Sequence, residues 1–195
     1  MKRNRQAELI RQLTDRELIQ QLYVTQLILL ALSGISGWIL FHRLEQFTDL
    51  LHVNWRLAAI GLTSGVLVAL LDILAMRLLP VRYYDDGGIN RRIFSSCSYP
   101  QIILLTFIIA VSEEILFRGV IQTHFGLAVA SVIFALIHVR YWSHWYLFIN
   151  VLVLSFWIGT LYHWAGQQLL PVIAMHFAID LILGVYVKWT SKTHQ

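Results

Sequence analysis

Long apolar runs separated by short polar stretches fill most of this chain. Six of them, at residues 22–41, 57–76, 101–121, 125–139, 145–164 and 169–187, approach the ~20 residues an α-helix needs to cross ~30 Å of hydrocarbon. The fourth is shortest, and its start falls anywhere from Gln122 to Phe125. Continuous apolar runs of this length predict an all-α fold, a polytopic transmembrane helix bundle of about six spans.

The polar stretches punctuate that bundle. Residues 1–21 place Leu9, Ile10 and Leu13 at helical spacing, and Thr14-Asp15-Arg16-Glu17 has the pattern of a capping box. They predict a short cytosolic surface helix leading into the first span. No cleavable signal peptide is expected, because no small-residue cleavage site follows the first apolar run. The longest connection, residues 77–100, contains Asp85-Asp86-Gly87-Gly88, a turn signal. It reads as a solvated cytosolic turn bordering a site entrance, which suits Asp85 and Asp86 better than metal binding. The chain thus divides into an N-terminal segment (1–21), two spans with a loop (22–100), a core (101–187) and a tail (188–195).

Composition agrees: 57% of residues are hydrophobic and only 13% charged, against about 25% charged in soluble domains. A net charge of +4 does not indicate a nucleic-acid partner, since the cations lie between spans rather than in a stripe. Twelve of the 15 Lys and Arg fall in the N-terminal segment, the second and fourth loops and the tail, and only Arg43 and Arg56 fall on the opposite side. That bias predicts cytosolic termini and an even number of spans. Trp55, Trp145, Tyr162, Trp164, Tyr186 and Trp189 lie near span ends, where aromatic side chains anchor at the water boundary. A single cysteine, Cys97, excludes an intramolecular disulfide and any multi-cysteine metal site.

Against this background Glu113, Glu114 and Arg118 stand out inside the third run. Charged side chains at that depth cost ~2.5–3.5 kcal/mol each on insertion scales and normally face a protein interior or a wet cavity. Glu114 and Arg118 are four apart and meet on one helix face. Glu113 points about 100° away and is left for chemistry unless another helix partners it. His138 ends the fourth run, and His176 and Asp180 share one face of the sixth. At ~1.5 Å per residue, Glu113 and His176 reach the same middle layer, with His138 closer to the cytosol. Asn150, Ser155 and Thr160 are expected to make hydrogen bonds between helices, and Asp72, near the cytosolic end of its span, to be structural by reaching headgroups or Arg77.

Three motifs in order, each on its own run, carry a family resemblance: Glu113-Glu114-Ile115-Leu116-Phe117-Arg118, Phe134 to His138, and His176 to Asp180. They resemble the CAAX-protease and bacteriocin-processing (CPBP, or Abi) family of intramembrane proteases, which includes the Rce1-like prenyl-protein endopeptidases. The resemblance covers residues 101–187. It implies that Glu113 and His138 activate a water that attacks the scissile carbonyl, that Glu114 paired with Arg118 supports the site, and that His176 stabilises the oxyanion with Asp180 fixing its tautomer. Asp180 stands where the prenyl-protein enzymes carry Asn.

Glu113, His138, His176 and Asp180 also have the ligand types of a zinc site, and many family members are called metalloproteases, so divalent-metal and metal-free chemistry both stay open. The motifs of zincin, rhomboid and presenilin-type proteases are not in the sequence. The expected partners are a peptide or membrane-protein substrate and the lipid bilayer of a prokaryotic cell membrane. A non-catalytic adapter or immunity protein of the same fold, and a proton or ion carrier relaying through Glu113, His138 and Asp180, are the competing classes.

Overall fold

A computed structural model describes residues 12–142 and 144–193. Leu9 and Ile10, expected on the surface helix, lie outside the described residues. The capping box is present: the Thr14 hydroxyl accepts from Glu17 N, and Glu17 Oε2 accepts from Thr14 N at 2.7 Å. Because the cap sits at Thr14, the helix α1 (Asp15–Leu40) starts well before Leu22, and polar lead-in and first span are one rod.

A short helix α2 (Leu44–Asp49) follows, then α3 (Trp55–Leu78), whose first turn is capped by the Asn54 side chain. The long connection is more ordered than a turn. Gly87 and Gly88, both at positive φ, lead into α4 (Ile89–Ser96), which buries Ile93 and the adjoining Cys97 against Leu18, Ile102 and Leu105. Burial pushes the Cys97 thiol above its ordinary range, so it is an inert core group rather than a loop thiol. Lys188 fixes the C-terminal end of α4 by donating to Ser95 O and Cys97 O.

Helix α5 (Tyr99–Glu114) begins with a second capping box, Ser98 with Gln101, and runs into a widened π turn, Ile115–Gln122, followed by α6 (Thr123–Ile137). Together these make one apolar stretch of 39 residues, and five stretches in all among the described residues are long and apolar enough to cross a membrane. The third is not straight. Phe117 and Phe134 would stand ~25 Å apart on a continuous helix, yet their rings lie 4.9 Å apart. The reversal is at Gly126, whose φ of 85° and ψ of 169° are open to glycine but not to residues with a Cβ. The two arms correspond to the third and fourth expected runs, so six apolar arms are present.

Helices α7 (Trp145–Trp164) and α8 (Leu169–Thr193) complete the bundle. Helix α8 is central and packs on α3, α4, α5 and α7. Against α3 the approach is backbone to backbone: a Cβ on Gly61 would overlap Pro171 O, and one on Gly65 would overlap Met175 O. Gly61 and Gly65 form the small-residue spacing that lets spanning helices touch closely. Outward faces carry exposed Leu, Ile and Trp, such as Leu27, Leu70 and Trp157, as expected of an integral multi-pass membrane protein.

Candidate active site

The polar centre forms where α5 passes into the π turn and faces α8. Hydrogen bonds in such a turn run i→i+5, and π turns concentrate at functional sites. Here the turn begins directly after Glu114. The expected Glu114–Arg118 pair is present, with Arg118 Nε 3.2 Å from Glu114 Oε2, although the contact lacks hydrogen-bond alignment. Both side chains are fully buried. Arg118 also donates through Nη2 to Ser155 O at 3.2 Å and Ser155 Oγ at 3.0 Å, and its Cζ lies 4.7 Å from the centre of the Phe134 ring. A buried charge needs this many partners, because an unpaired one is strongly destabilising.

His176 joins the two glutamates. Its Nδ1 is 2.7 Å from Glu114 Oε1, and its Nε2 is 3.9 Å from Glu113 Oε2 and 3.5 Å from Asp180 Oδ2. The sequence reading gave Asp180 the task of fixing the His176 tautomer. The structure gives the tighter contact, and hence that task, to Glu114, because a carboxylate accepts only and so holds a proton on Nδ1. Asp180, half-buried, shares the Nε2 side with Glu113. Glu113 thus has no close ion-pair or hydrogen-bond partner among the described residues, whereas Glu114 is held from two directions.

His138 is at the end of α6, one turn after Phe134. Its Nδ1 lies 2.7 Å from Phe134 O. A carbonyl can only accept, so Nδ1 carries the proton and Nε2 presents a lone pair. The Phe134 ring centre is 4.8 Å from that of His138 and 6.3 Å from that of His176. Glu113, Glu114, Arg118, His176 and Asp180 are therefore gathered, with His138 one aromatic ring away. No hydrogen bond or ion pair joins it to Glu113 among the described residues.

A metal would need a different arrangement. Among the described residues no three His, Cys, Asp or Glu side chains are grouped closely enough to hold one. His176 Nδ1 is engaged by Glu114, His138 Nδ1 by Phe134 O, and the Phe134 ring contacts both imidazoles. Glu113, His138, His176 and Asp180 as placed do not fit a zinc site.

Gln26, Arg140 and Tyr141 escaped the sequence reading of the site, and Asp86 entered it only as part of a turn bordering the entrance. Gln26 of α1, buried in an apolar helix, has its Oε1 2.6 Å from Ser112 Oγ, next to Glu113. Asp86 is buried and lies 3.6 Å from Arg140, whose Nη2 donates to the Tyr141 hydroxyl at 2.6 Å and to Asn90 Oδ1 at 3.2 Å. Tyr141 in turn stacks on His138, 17° from parallel with centres 5.7 Å apart. An acid before Gly-Gly and a helix start was the available signal, since Asp86 also accepts from Asn90 N. Asp85 accepts from Gly88 N at 2.8 Å, an ordinary turn role. The other membrane-embedded polar groups act between helices as expected where Asn150 donates to Asp72 at 3.4 Å and Arg118 to Ser155, whereas Thr160 bonds within its own helix to Phe156 O.

Comparison with known proteins agrees with this geometry. Residues 95–182, a segment holding every gathered residue, match the family described as type II CAAX prenyl endopeptidase Rce1-like. The chain is 42% identical over 167 residues to an uncharacterized protein, YpbD, of Bacillus subtilis (strain 168), a match covering 85% of this chain and 88% of that one. No solved structure matches.

Proposed function

The chain belongs to the Rce1-like family, a family of membrane proteases, and from that premise we propose that it is an integral-membrane endopeptidase that hydrolyses peptide bonds with Glu113 as general base. The observation that carries this is the unequal treatment of two adjacent carboxylates. Glu114 is taken up by Arg118 and His176 Nδ1, while Glu113 keeps only the 3.9 Å approach to His176 Nε2.

In this reading Glu113 removes a proton from a water, and the water oxygen bonds to the scissile carbonyl carbon. The His138 Nε2 lone pair accepts that water's second proton in a hydrogen bond and orients it. The carbonyl oxygen becomes an oxyanion, which His176 stabilises from its Nε2 side, the typical use of a preorganised donor. As the tetrahedral intermediate collapses, the C–N bond breaks and the amine leaves with the proton Glu113 had taken. The products are a carboxylic acid and an amine, and the acid's proton passes to the amine as they leave. For this His176 acts as the imidazolium, its Nδ1–H held by Glu114 and its Nε2–H by Asp180 until the oxyanion competes for it, while Arg118 keeps Glu114 in place. The substrate is a peptide or membrane protein, cut in the membrane of a prokaryotic cell, as the bacterial relative suggests.

The test is cleavage of a reporter-peptide library by purified protein in detergent, comparing wild type with Glu113→Gln and His138→Ala. General base catalysis contributes ~10²–10⁴-fold, so loss of that order in Glu113→Gln, with a smaller loss in His138→Ala, is expected. Equal cleavage by Glu113→Gln would remove its role. Silence of all three with the fold intact would favour an adapter.

A further inference from the structure

An open groove of about 640 Å³ lies between α1, α2 and the first residue of the π turn. Its walls are Trp38, Phe47 and Ile115, with Gly34 and Gly37 contributing no side chain. A Cβ built on Gly34 meets nothing within 4 Å, so the space is not filled by the protein. His42 and Arg43 stand at the end of α1, where the apolar span gives way to polar chain, and no Asp or Glu lines the groove. Arg43 makes no ion pair among the described residues; only its backbone is engaged, by Gln46.

An apolar trough ending in an arginine and a histidine, with no acid on its walls, at the edge of a span matches one ligand chemistry, an acyl chain attached to a negative headgroup. A guanidinium holds a phosphate by charge-assisted hydrogen bonds on either side of a membrane. We propose that the groove is a binding site for one anionic phospholipid, its acyl chain against Gly34, Gly37 and Ile115 and its phosphate at Arg43 and His42. Ile115 directly follows Glu114, so the bound chain backs the turn that holds the site. The proposal does not depend on the proteolytic reading.

The experiment uses the full chain, delipidated in non-ionic detergent and supplied with phosphatidylglycerol or phosphatidylcholine, with retained lipid counted by native mass spectrometry. Wild type is expected to keep one phosphatidylglycerol per chain in preference to phosphatidylcholine. Arg43→Gln should weaken phosphatidylglycerol retention about five-fold, the effect of one basic residue near a charged headgroup, and leave phosphatidylcholine unchanged. Gly34→Leu should fill the trough and remove both, while its circular dichroism and melting stay those of wild type. Equal retention of the two lipids by wild type overturns the assignment to an anionic ligand. Phosphatidylglycerol retention unchanged in both variants overturns the site itself. Should Gly34→Leu not fold, the Arg43→Gln titration decides alone.

Discussion

Helix α8 holds two of its neighbours by opposite means. Toward α3 it offers bare backbone: Pro171 O and Met175 O press on Gly61 and Gly65, with no charge involved. Toward α5 it offers His176, which reaches two buried glutamates and an arginine-held network. The first seam is steric and admits no extra atom. The second is polar and tolerates no lost partner. The first seam has only a structural task, while the second also holds Glu113, the proposed general base, and substitutions in them should fail differently.

The largest expected effect is in the polar seam. Glu114→Ala leaves Arg118 buried with its carboxylate gone, and removing one member of a buried pair costs about 3–5 kcal/mol. A thermal melt in detergent should show a marked drop, and a melt equal to wild type would mean that the pair is not structural. Next comes the steric seam. Gly61→Ala overpacks the backbone contact with Pro171, at about 1–3 kcal/mol. Its melt should fall while the residual folded protein keeps its cleavage per molecule, because Pro171 lies more than a helical turn from His176. Loss of cleavage without loss of stability would show the two seams to be coupled.

Smaller effects sharpen the comparison at its edges. Gln26→Leu removes one partner of the Ser112 hydroxyl, and a hydrogen bond of this kind is worth about 1 kcal/mol. Differential melting against Gln26→Glu, which keeps an acceptor, checks it. Asp86→Ala frees Arg140 and, through Tyr141, loosens the His138 ring; a loss of about ten-fold in kcat with little change in KM is expected, since orientation rather than binding is affected. Restoration by Asp86→Glu would identify a positioning role, and an unchanged kcat in Asp86→Ala would exclude it.

Much of this was legible beforehand, for physical reasons. Hydropathy marks spans because length and apolarity alone decide whether a helix can cross. The intramembrane Glu113, Glu114, Arg118, His176 and Asp180 were conspicuous because charge at that depth is costly. Other features left weaker traces. The reversal at Gly126 depends on one dihedral pair, which composition does not encode, although the break between the third and fourth runs fell beside it. The π turn has no residue signature. Helix α4 is short and polar, its sequence Ile89 to Ser96 offering mainly Ile93 as an inward anchor, so it read as loop. Spacing linked Asp180 to His176, but which carboxylate faces Nδ1 is set by how the helices pack, and Glu114 takes it. Asp86 looked like a turn residue and is one, while also reaching Arg140, a contact between segments far apart in the chain.

The central claim is that neighbouring carboxylates have been assigned different work, Glu114 to the structure and Glu113 to the reaction. Its most direct test is a paired comparison of Glu113→Gln and Glu114→Gln, each measured for thermal melting in detergent and for cleavage of the same reporter peptide. The account predicts that Glu113→Gln melts close to wild type and loses cleavage by at least ~10²-fold, while Glu114→Gln melts distinctly lower. A Glu113→Gln protein that melts lower than Glu114→Gln and still cleaves would contradict it.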